Sequence, residues 1–246
     1  MTFQELEQLM RNVENARESE LPADVYIIAR LDGRGFSKLT KAHFEKPFDE
    51  RFHRLMVEVM RYLMEMEPDI TLAYNQSDEI SILIMPGSSS FNRKARKILS
   101  LLPSAAASKL SLLLGEPVSF DCRLNIQSDM EGVLRYFRWR SIDAERNAFN
   151  ACAYWLLRKQ GMEPQAAAEY LRSLDTQTQR KFLQNHHADS SVIPVWQTRG
   201  VIMHRITETR EGFNPLTQEA TICSRRRLIE VDYSENLLQS IIGAHE

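Results

Sequence analysis

The chain has 246 residues, of which 43% are hydrophobic and 26% are charged, and its formal net charge is -2. This composition is sufficient for a packed core, and it excludes both a disordered tail and a strongly basic nucleic-acid binder. The small net charge leaves an RNA partner open, because binding depends on where basic residues cluster.

Three widely spaced cysteines, Cys122, Cys152 and Cys223, form no Cys-x-x-Cys pair. They predict free thiols in a reducing compartment rather than a zinc site. Glutamates are scattered among the apolar residues of the first 20 positions, which argues against a signal peptide or a membrane span there. We therefore expect a cytoplasmic protein without a membrane partner.

The first elements read as a helix, a strand and a second helix. Thr2 followed by Glu5 matches a capping box at the start of an amphipathic helix. The mostly apolar run 25–31 predicts a buried strand that ends at a glycine-rich turn. Apolar residues recur at helical spacing across 48–66, which predicts a helix that crosses back over the sheet.

The next elements read as a hairpin, a helix and a further strand. Residues 70–74 and 80–84 predict two strands joined by a polar turn. Residues 91–114 predict a helix interrupted at Pro103, and 118–126 predict a strand. The order βαββαβ predicts an α+β fold with an antiparallel sheet of the ferredoxin-like or polymerase-palm type.

The whole chain, 1–246, is predicted to form a single catalytic domain. Its palm core would span about 22–128, and a mainly helical remainder would span about 129–246. Short strands and a closing helix near 237–242 are expected within that remainder.

Asp32 ends the first predicted strand, and Asp78 lies in the hairpin turn. A right-handed crossover between the first two strands brings both carboxylates to one end of the sheet. Two such carboxylates repel unless a cation lies between them, and oxygen ligands favour Mg²⁺. A pair of Mg²⁺ ions there would clamp a nucleoside triphosphate. The alternative is that Asp32 only ends a strand and Asp78 only forms a turn, which is the commoner role of a single Asp.

Several motifs follow one another in a fixed order along residues 3–201. They are Leu31-Asp32-Gly33-Arg34-Gly35-Phe36-Ser37, Phe44-Glu45-Lys46-Pro47 with Asp49, Ala73-Tyr74 with Gln76-Ser77-Asp78-Glu79, Phe91-Asn92-Arg93, Leu134-Arg135-Tyr136, and Trp139-Arg140 with Asp143. Lys181 and the pair Arg199-Gly200 extend the pattern. Together these motifs resemble the tRNA-His guanylyltransferase family.

The resemblance implies a palm in which Asp32, the Gly33 carbonyl and Asp78 hold two Mg²⁺ ions, with Glu79 beside them as a third catalytic residue. The implied nucleotide-binding residues are Arg34, Gly35, Phe36, Ser37, Lys46, Ser77 and Arg93. Backbone donors, hydroxyls and fixed cations suit phosphate groups.

The implied reaction runs in the 3′–5′ direction, opposite to that of ordinary polymerases. The 3′ hydroxyl of an incoming nucleotide attacks a 5′ end of tRNA that carries a triphosphate or has been adenylylated by ATP. GTP and ATP are the implied substrates, and the resemblance also implies a homotetramer.

One segment departs from the family pattern. Eukaryotic members carry a His-Ile-Asn-Asn-Leu-Tyr-Asn run where this chain has Glu145-Arg146-Asn147-Ala148-Phe149-Asn150-Ala151, which keeps only the first Asn. The departure favours the template-dependent branch of the family, which restores missing 5′ nucleotides by base pairing. Dedicated guanylation of tRNA-His is the alternative.

Local clusters of polar residues supply candidate RNA contacts, since phosphate binding needs local positive charge. The candidates are Lys94, Lys97, Arg135, Arg138, Arg140, Asp143, Arg146, Asn147 and Lys181. The alternative is that these residues form solvated helix faces with helical ion pairs. Trp139 and Trp155 are predicted to pack within the helical layer.

Two other function classes fit the same sheet. A nucleotide cyclase of palm fold would also use paired carboxylates, although the turn Gln76-Ser77-Asp78-Glu79 differs from the Gly-Gly-Asp/Glu-Glu-Phe turn of diguanylate cyclases. A non-catalytic RNA-binding module is the other alternative, and the presence of both Asp32 and Asp78 argues against it.

Overall fold

A computed structural model describes residues 1–16, 18–186, 193–214, 216 and 219–244. The helices are α1 Phe3–Asn15, α2 Phe36–His43, α3 Glu50–Met66, α4 Ala95–Leu114, α5 Met130–Lys159, α6 Pro164–Arg172, α7 Thr176–His186, α8 Val195–Thr198 and α9 Glu235–Gly243. The strands are β1 Tyr26–Gly33, β2 Ile70–Gln76, β3 Glu79–Ile84, β4 Phe120–Gln127, β5 Val201–Asn214 and β6 Glu219–Asp232.

The strands form one six-stranded sheet in the order β4-β1-β3-β2-β5-β6. Every neighbouring pair is antiparallel. The first four strands have the βαββαβ connectivity, and the predicted α+β palm-type fold is therefore confirmed. The strands expected to be short after residue 128 are instead two long ones that extend this same sheet.

Each face of the sheet carries its own core because alternate side chains of a strand point to opposite faces. Ile27, Ala29 and Leu31 pack beneath α3 and α4, whereas Tyr26 and Ile28 pack with residues of α5 and α9. The same alternation places Arg30 and Asp32 on the α5 face. Asp32 therefore stands at the end of a strand whose position is fixed by packing on both sides.

Two helices differ from the sequence-based expectation. Helix α2, between β1 and α3, was not predicted, because its eight residues lie among turn-like glycines and a proline. Helix α4 continues through Pro103, where an interruption was expected. By length and composition alone, α4 would also be able to span a membrane, which is weak evidence because its face with Ile98 and Leu102 lies in the core.

Helix α5 has 30 residues, about 45 Å at 1.5 Å per residue. The side chain of Asp129 caps its start by accepting a hydrogen bond from the Gly132 N–H at 2.7 Å. Its first half packs on the sheet, and its second half forms a separate core with α6 and α7 around Ala153 and Leu171. The helix thus runs from the sheet into the helical part of the molecule.

Strands β5 and β6 pair with each other along their whole length, but β5 pairs with β2 only from Val201 to His204. The rest of this hairpin extends past the sheet as a two-stranded arm.

Candidate active site

The structure brings Asp32 and Asp78 together at one end of the sheet. The backbone N–H of Gly33, the residue after Asp32, donates a hydrogen bond to the Asp78 carbonyl at 3.2 Å. Asp32 also lies opposite Glu79 in the register of β1 and β3. The end of β1 and the β2–β3 turn are therefore joined through the backbone.

The β2–β3 turn has a fixed conformation. Ser77 has a φ of 53°, and its carbonyl accepts a hydrogen bond from Asn75 Nδ2 at 3.1 Å. The same Nδ2 donates to the Glu79 carbonyl at 2.9 Å. Because Asn75 is buried, these bonds are shielded from water and hold Asp78 in place.

The Asp78 carboxyl lies in an electrostatically costly position. Burial raises the pKa of Asp78, and the negative charge of Asp32 raises it further. A hydrogen bond from Ser77 and the positive charge of Lys46 lower this pKa, but they do not offset the increase. A cation bound between the two carboxylates would relieve this cost.

Glu79 is buried, and a pair of arginines neutralises it. Arg140 of α5 donates two hydrogen bonds to its carboxylate, at 2.7 and 2.8 Å, and Arg30 lies 3.9 Å away. Burial raises the pKa of Glu79, while Arg140 and then Arg30 lower it. The prediction that Arg140 contacts RNA is therefore corrected, because its guanidinium binds Glu79 inside the protein. The catalytic role of Glu79 stays a prediction.

Trp139 covers this cluster from outside. Its ring lies 4.6 Å from the Arg140 guanidinium and 5.7 Å from that of Arg30. The side chain is 52% exposed, which corrects the prediction that Trp139 packs in the helical layer. Arg30 was missed in the sequence, although its spacing of two from Asp32 within a strand indicates that both face the same side.

Helix α2 begins beside the aspartates and presents an anion-binding end. Gly35 adopts a φ of 79° immediately before the helix, and no side chain caps its start. The first backbone N–H groups, at Phe36 and Ser37, are thus suited to phosphate. The Phe36 ring itself is buried against Phe120, so Phe36 contributes to such a site through its backbone.

A cleft of about 280 Å³ opens in front of Asp78, lined by Phe36, Ser37, Thr40, Lys41, Lys46, Ser77, Asp78 and Trp155. Lys46 Nζ donates a hydrogen bond to Thr40 Oγ1 at 2.6 Å. Burial lowers the pKa of Lys46, and Asp78 opposes that shift. A second cavity shares Lys46 and Ser77 and reaches Trp196. Four of the predicted nucleotide-binding residues, Phe36, Ser37, Lys46 and Ser77, thus line one cleft with Asp78.

Two predicted nucleotide-binding residues lie differently. Arg34 is exposed beside the cleft, and its backbone N–H donates to the Ser119 carbonyl at 2.9 Å. Arg93 is buried at the opposite end of the sheet, where it donates to the carbonyls of Pro22 and Val25 at 2.8 and 2.7 Å. Its assignment to the nucleotide site is corrected, because those carbonyls precede β1 while Asp32 ends it.

The other candidate RNA contacts fall into two regions. Lys94 and Lys97 lie at the same end of the sheet as Arg93, and Lys94 pairs with Glu18 at 3.0 Å. The remaining candidates lie on α5 and α7: Arg135 pairs with Glu131, Arg138 with Glu235, Asp143 with both Arg146 and Asn147, and Lys181 is exposed. Their roles in RNA binding stay predictions.

The donor set at Asp32, Asp78 and the Gly33 carbonyl suits Mg²⁺. This ion usually binds one or two carboxylates and completes its shell with water and substrate phosphates. Across the described ranges, no three His, Cys, Asp or Glu side chains come together as a metal-binding group. The site therefore resembles an open position that a metal ion shares with a phosphate substrate rather than a closed structural centre.

Comparison with known proteins gives a consistent family. Residues 7–131 match the family model described as tRNAHis guanylyltransferase. The "tRNA(His) guanylyltransferase 2" of Arabidopsis thaliana is 29% identical over 240 residues, which cover 93% of this chain and 44% of that relative. The "Probable tRNA(His) guanylyltransferase" of Drosophila melanogaster is 30% identical over 199 residues, which cover 76% of this chain and 69% of that relative. The chain thus spans less than half the length of the Arabidopsis relative.

Two solved structures are similar over nearly the whole chain. A bacterial tRNA(His) guanylyltransferase-like protein in complex with ATP has a TM-score of 0.73 and 25% identity, with 98% of this chain and 96% of that chain covered. A bacterial protein of the same description in complex with GTP has a TM-score of 0.70 and 26% identity, with 96% and 99% covered. The similarity therefore extends beyond residue 131 to both faces of the sheet and the arm.

Proposed function

The chain belongs to the tRNA-His guanylyltransferase family, and from this premise we propose that it adds nucleotides in the 3′–5′ direction to the 5′ end of tRNA. The observation that carries the proposal is the backbone hydrogen bond from Gly33 to the Asp78 carbonyl. It holds Asp32 and Asp78 together beside the N terminus of α2 and Lys46. This arrangement places negative, metal-binding groups next to a phosphate-binding surface.

The residues of this chain divide the work. The N–H groups at the start of α2 and the Lys46 ammonium bind the triphosphate, since both favour negative charge. The 3′ hydroxyl of the incoming nucleotide forms a bond to the phosphorus of the activated 5′ end. The bond to pyrophosphate or AMP at that phosphorus breaks, and the hydroxyl proton passes to solvent or a nearby base. ATP and GTP are the proposed nucleotide substrates.

Mg²⁺ is the cofactor that this donor set fits, and Asp32, Asp78 and the Gly33 carbonyl would hold it. When bound, Mg²⁺ neutralises charge on the reacting phosphates and lowers the pKa of the attacking hydroxyl. Glu79 lies next to these ligands with its charge already compensated by Arg140. Its proposed contribution is therefore to hold the position of the turn that carries Asp78.

Templated repair of the 5′ end is favoured by the surroundings of Glu145, which occupies the place of the histidine in the eukaryotic run. Glu145 pairs with Arg199 at 3.3 Å and lies 3.7 Å from Arg180. These ion pairs connect α5 to α7 and to the residue after α8. A carboxylate held by two arginines cannot donate a hydrogen bond as a histidine ring does, which argues against recognition of the tRNA-His end in the eukaryotic manner.

The proposed assembly is a homotetramer. Helix α1 has no buried residue, and its apolar side chains Phe3 and Val13 are exposed. Leu112 on the outer face of α4 is exposed as well. Apolar faces of this kind are costly in water and suit contacts between subunits. The cytoplasm is the proposed location, consistent with free thiols at Cys122, Cys152 and Cys223.

The test of this function is incorporation into a tRNA that lacks its first 5′ nucleotide. The purified chain is given Mg²⁺, ATP and labelled nucleotides, and the template base opposite the missing position is varied. Incorporation that follows the template supports 5′-end repair. Guanosine added regardless of the template favours dedicated guanylation. Absence of incorporation, with a 5′ monophosphate or a 5′ triphosphate, contradicts the proposal.

A further inference from the structure

Trp155 is a large apolar side chain that lies outside the hydrophobic cores. Its neighbours Ala153, Tyr154 and Leu156 all belong to or pack against the core formed by α5, α6 and α7, whereas Trp155 is part of no core cluster in the described chain. Its one aromatic partner there is Tyr154, in an edge contact at 5.5 Å. The residue is partly buried, and packing leaves part of this indole accessible.

The indole lines two cavities that differ in polarity. One is the polar cleft with Ser37, Lys46, Ser77 and Asp78. The other is almost entirely apolar and is lined by Pro47, Cys152, Trp155, Leu156, Lys159, Leu183 and Ile193. Trp155 lines both cavities. Pro47, which lines the apolar cavity, directly follows Lys46, which lines the cleft. One cavity thus offers groups suited to phosphate, the other offers apolar surface, and the same aromatic ring lines both.

A nucleotide has the same distribution of polarity. Its phosphates need N–H donors and cations, and its base has a flat π-face that stacks on aromatic rings independently of sequence. We propose that the Trp155 indole is the stacking surface for the base of the nucleoside triphosphate whose phosphates bind at α2 and Lys46. This inference rests on the proposed function and adds a base-binding residue to it.

Stacking on Trp155 would accept more than one base. A ring face offers dispersion and π contacts to any base and reads no hydrogen-bond pattern. Templated addition needs such a surface, because the template has to select the base by pairing. Trp155 thus binds the incoming nucleotide without competing with the template for that choice.

The first experiment compares binding of ATP, GTP and inorganic tripolyphosphate to the full chain and to Trp155→Ala. Loss of the stacking ring is expected to weaken ATP and GTP binding about 5- to 150-fold. Tripolyphosphate has no base, so its affinity is expected to stay within about twofold. Trp155→Phe should restore most of the nucleotide affinity. Tyr62→Leu, a partly exposed aromatic residue on α3 beside Lys109, is the matched control with unchanged binding.

Fluorescence gives a readout that does not depend on activity. The variant Trp139→Phe with Trp196→Phe leaves Trp155 as the single tryptophan of the chain. ATP and GTP are expected to quench its emission, and tripolyphosphate is not. Emission that responds equally to all three ligands would overturn the assignment, because it would report a change in the cleft rather than contact with a base.

Failure of this inference is distinct from failure of the proposed function. If the wild-type chain incorporates nucleotides and Trp155→Ala keeps the wild-type KM for them, the stacking role is wrong while the function stands. Equal loss of tripolyphosphate and ATP binding also overturns the stacking role. If Trp155→Ala changes only the KM for tRNA, the stacking role is likewise overturned. A wild-type chain that incorporates nothing contradicts the function itself.

Discussion

Arg140 joins helix α5 to the end of the sheet that carries Asp32 and Asp78 through two hydrogen bonds to Glu79, at 2.7 and 2.8 Å. Both side chains are nearly buried, at 12% and 10% exposed. Glu79 is the first residue of β3 and directly follows Asp78. The ion pair therefore fixes the position of the turn that carries a candidate metal ligand, in addition to satisfying a buried charge.

Arg140→Ala is expected to destabilise the protein by about 3 kcal/mol, because removing one partner of a buried pair leaves the other charge uncompensated. Nucleotide addition should fall as well, since Glu79 is then free to repel Asp32 and Asp78. Urea denaturation gives the free energy of unfolding. Arg135→Ala is the matched control: its pair with Glu131 has a distance of 2.8 Å but is exposed, so its loss should cost less than about 1 kcal/mol. Equal costs for the two variants would contradict this account.

Asp78→Asn tests the division between function and stability at the turn. The neutral amide should abolish nucleotide addition, because the metal-binding charge is lost. The same change should raise the Tm, since the carboxylate is partly buried, faces Asp32 and has a raised pKa. Activity assays and thermal unfolding measure the two effects. We therefore expect activity to fall while thermal stability rises.

The control for Asp78→Asn is Asp121→Asn. Asp121 lies opposite Asp32 on the edge strand β4, but its side chain is exposed and paired with Arg123 at 3.4 Å. Activity and Tm should both stay close to the wild type. Retained activity in Asp78→Asn would contradict the assignment of Asp78 as a metal ligand. A Tm below that of the wild type would contradict the claim that the buried Asp78 charge destabilises the fold.

The sheet and the meeting of Asp32 with Asp78 were predictable because strand periodicity, a hairpin turn and the right-handed crossover fix them locally. The prediction that Arg140 contacts RNA was wrong, because its spacing on a helix does not reveal that it pairs with Glu79, 61 positions earlier in the sequence. Arg93 was placed wrongly for a similar reason: its guanidinium binds carbonyls that precede β1, and no local pattern encodes that contact.

The long arm and the environment of Trp155 were not predictable either. Alternation in β5 and β6 is weak because both faces of an arm meet water, so no hydrophobic period marks these strands. The position of Trp155 on α5 does not show whether its ring faces a core or a cleft. That depends on Pro47 and Lys46, which line the two cavities beside the ring and lie more than 100 residues away in sequence. Contacts between residues distant in sequence determine which side chains line the site, and the spacing of apolar residues along one helix does not predict such contacts.

Gly33→Ala is expected to destabilise the protein more than Gly35→Asn does. A Cβ at Gly33 would lie 2.5 Å from the Phe36 ring, and that ring is held by Phe52 and Phe120. Overpacking of this kind costs about 1–3 kcal/mol. At Gly35 the added atoms meet open space, and Asn tolerates the left-handed φ of 79°. The free energy of unfolding is measured for both single variants and for the double variant Gly33→Ala with Phe36→Leu. Replacing the Phe36 ring by the smaller leucine side chain should recover part of the stability lost in Gly33→Ala.

The pair formed by His53 and Glu230 is expected to make stability depend on pH. A hydrogen bond from His53 is the main reason that the pKa of Glu230 lies below its usual 4.5, and the two side chains are 3.4 Å apart. Because this pKa is lower in the folded protein, ionised Glu230 stabilises the fold above about pH 4.5, and the stabilisation is lost as the pH falls through the folded value.

Glu230→Gln should therefore be less stable than the wild type at pH 6, and the difference between their urea midpoints should shrink on acidification to pH 3. The matched control is Glu116→Gln, which removes the exposed pair of Glu116 with His43 at 3.0 Å. Water screens that pair, so its loss should hardly move the midpoint at any of these pH values. A difference for Glu230→Gln that is constant from pH 6 to pH 3 would show that packing, not the carboxylate charge, links β6 to α3 at this position.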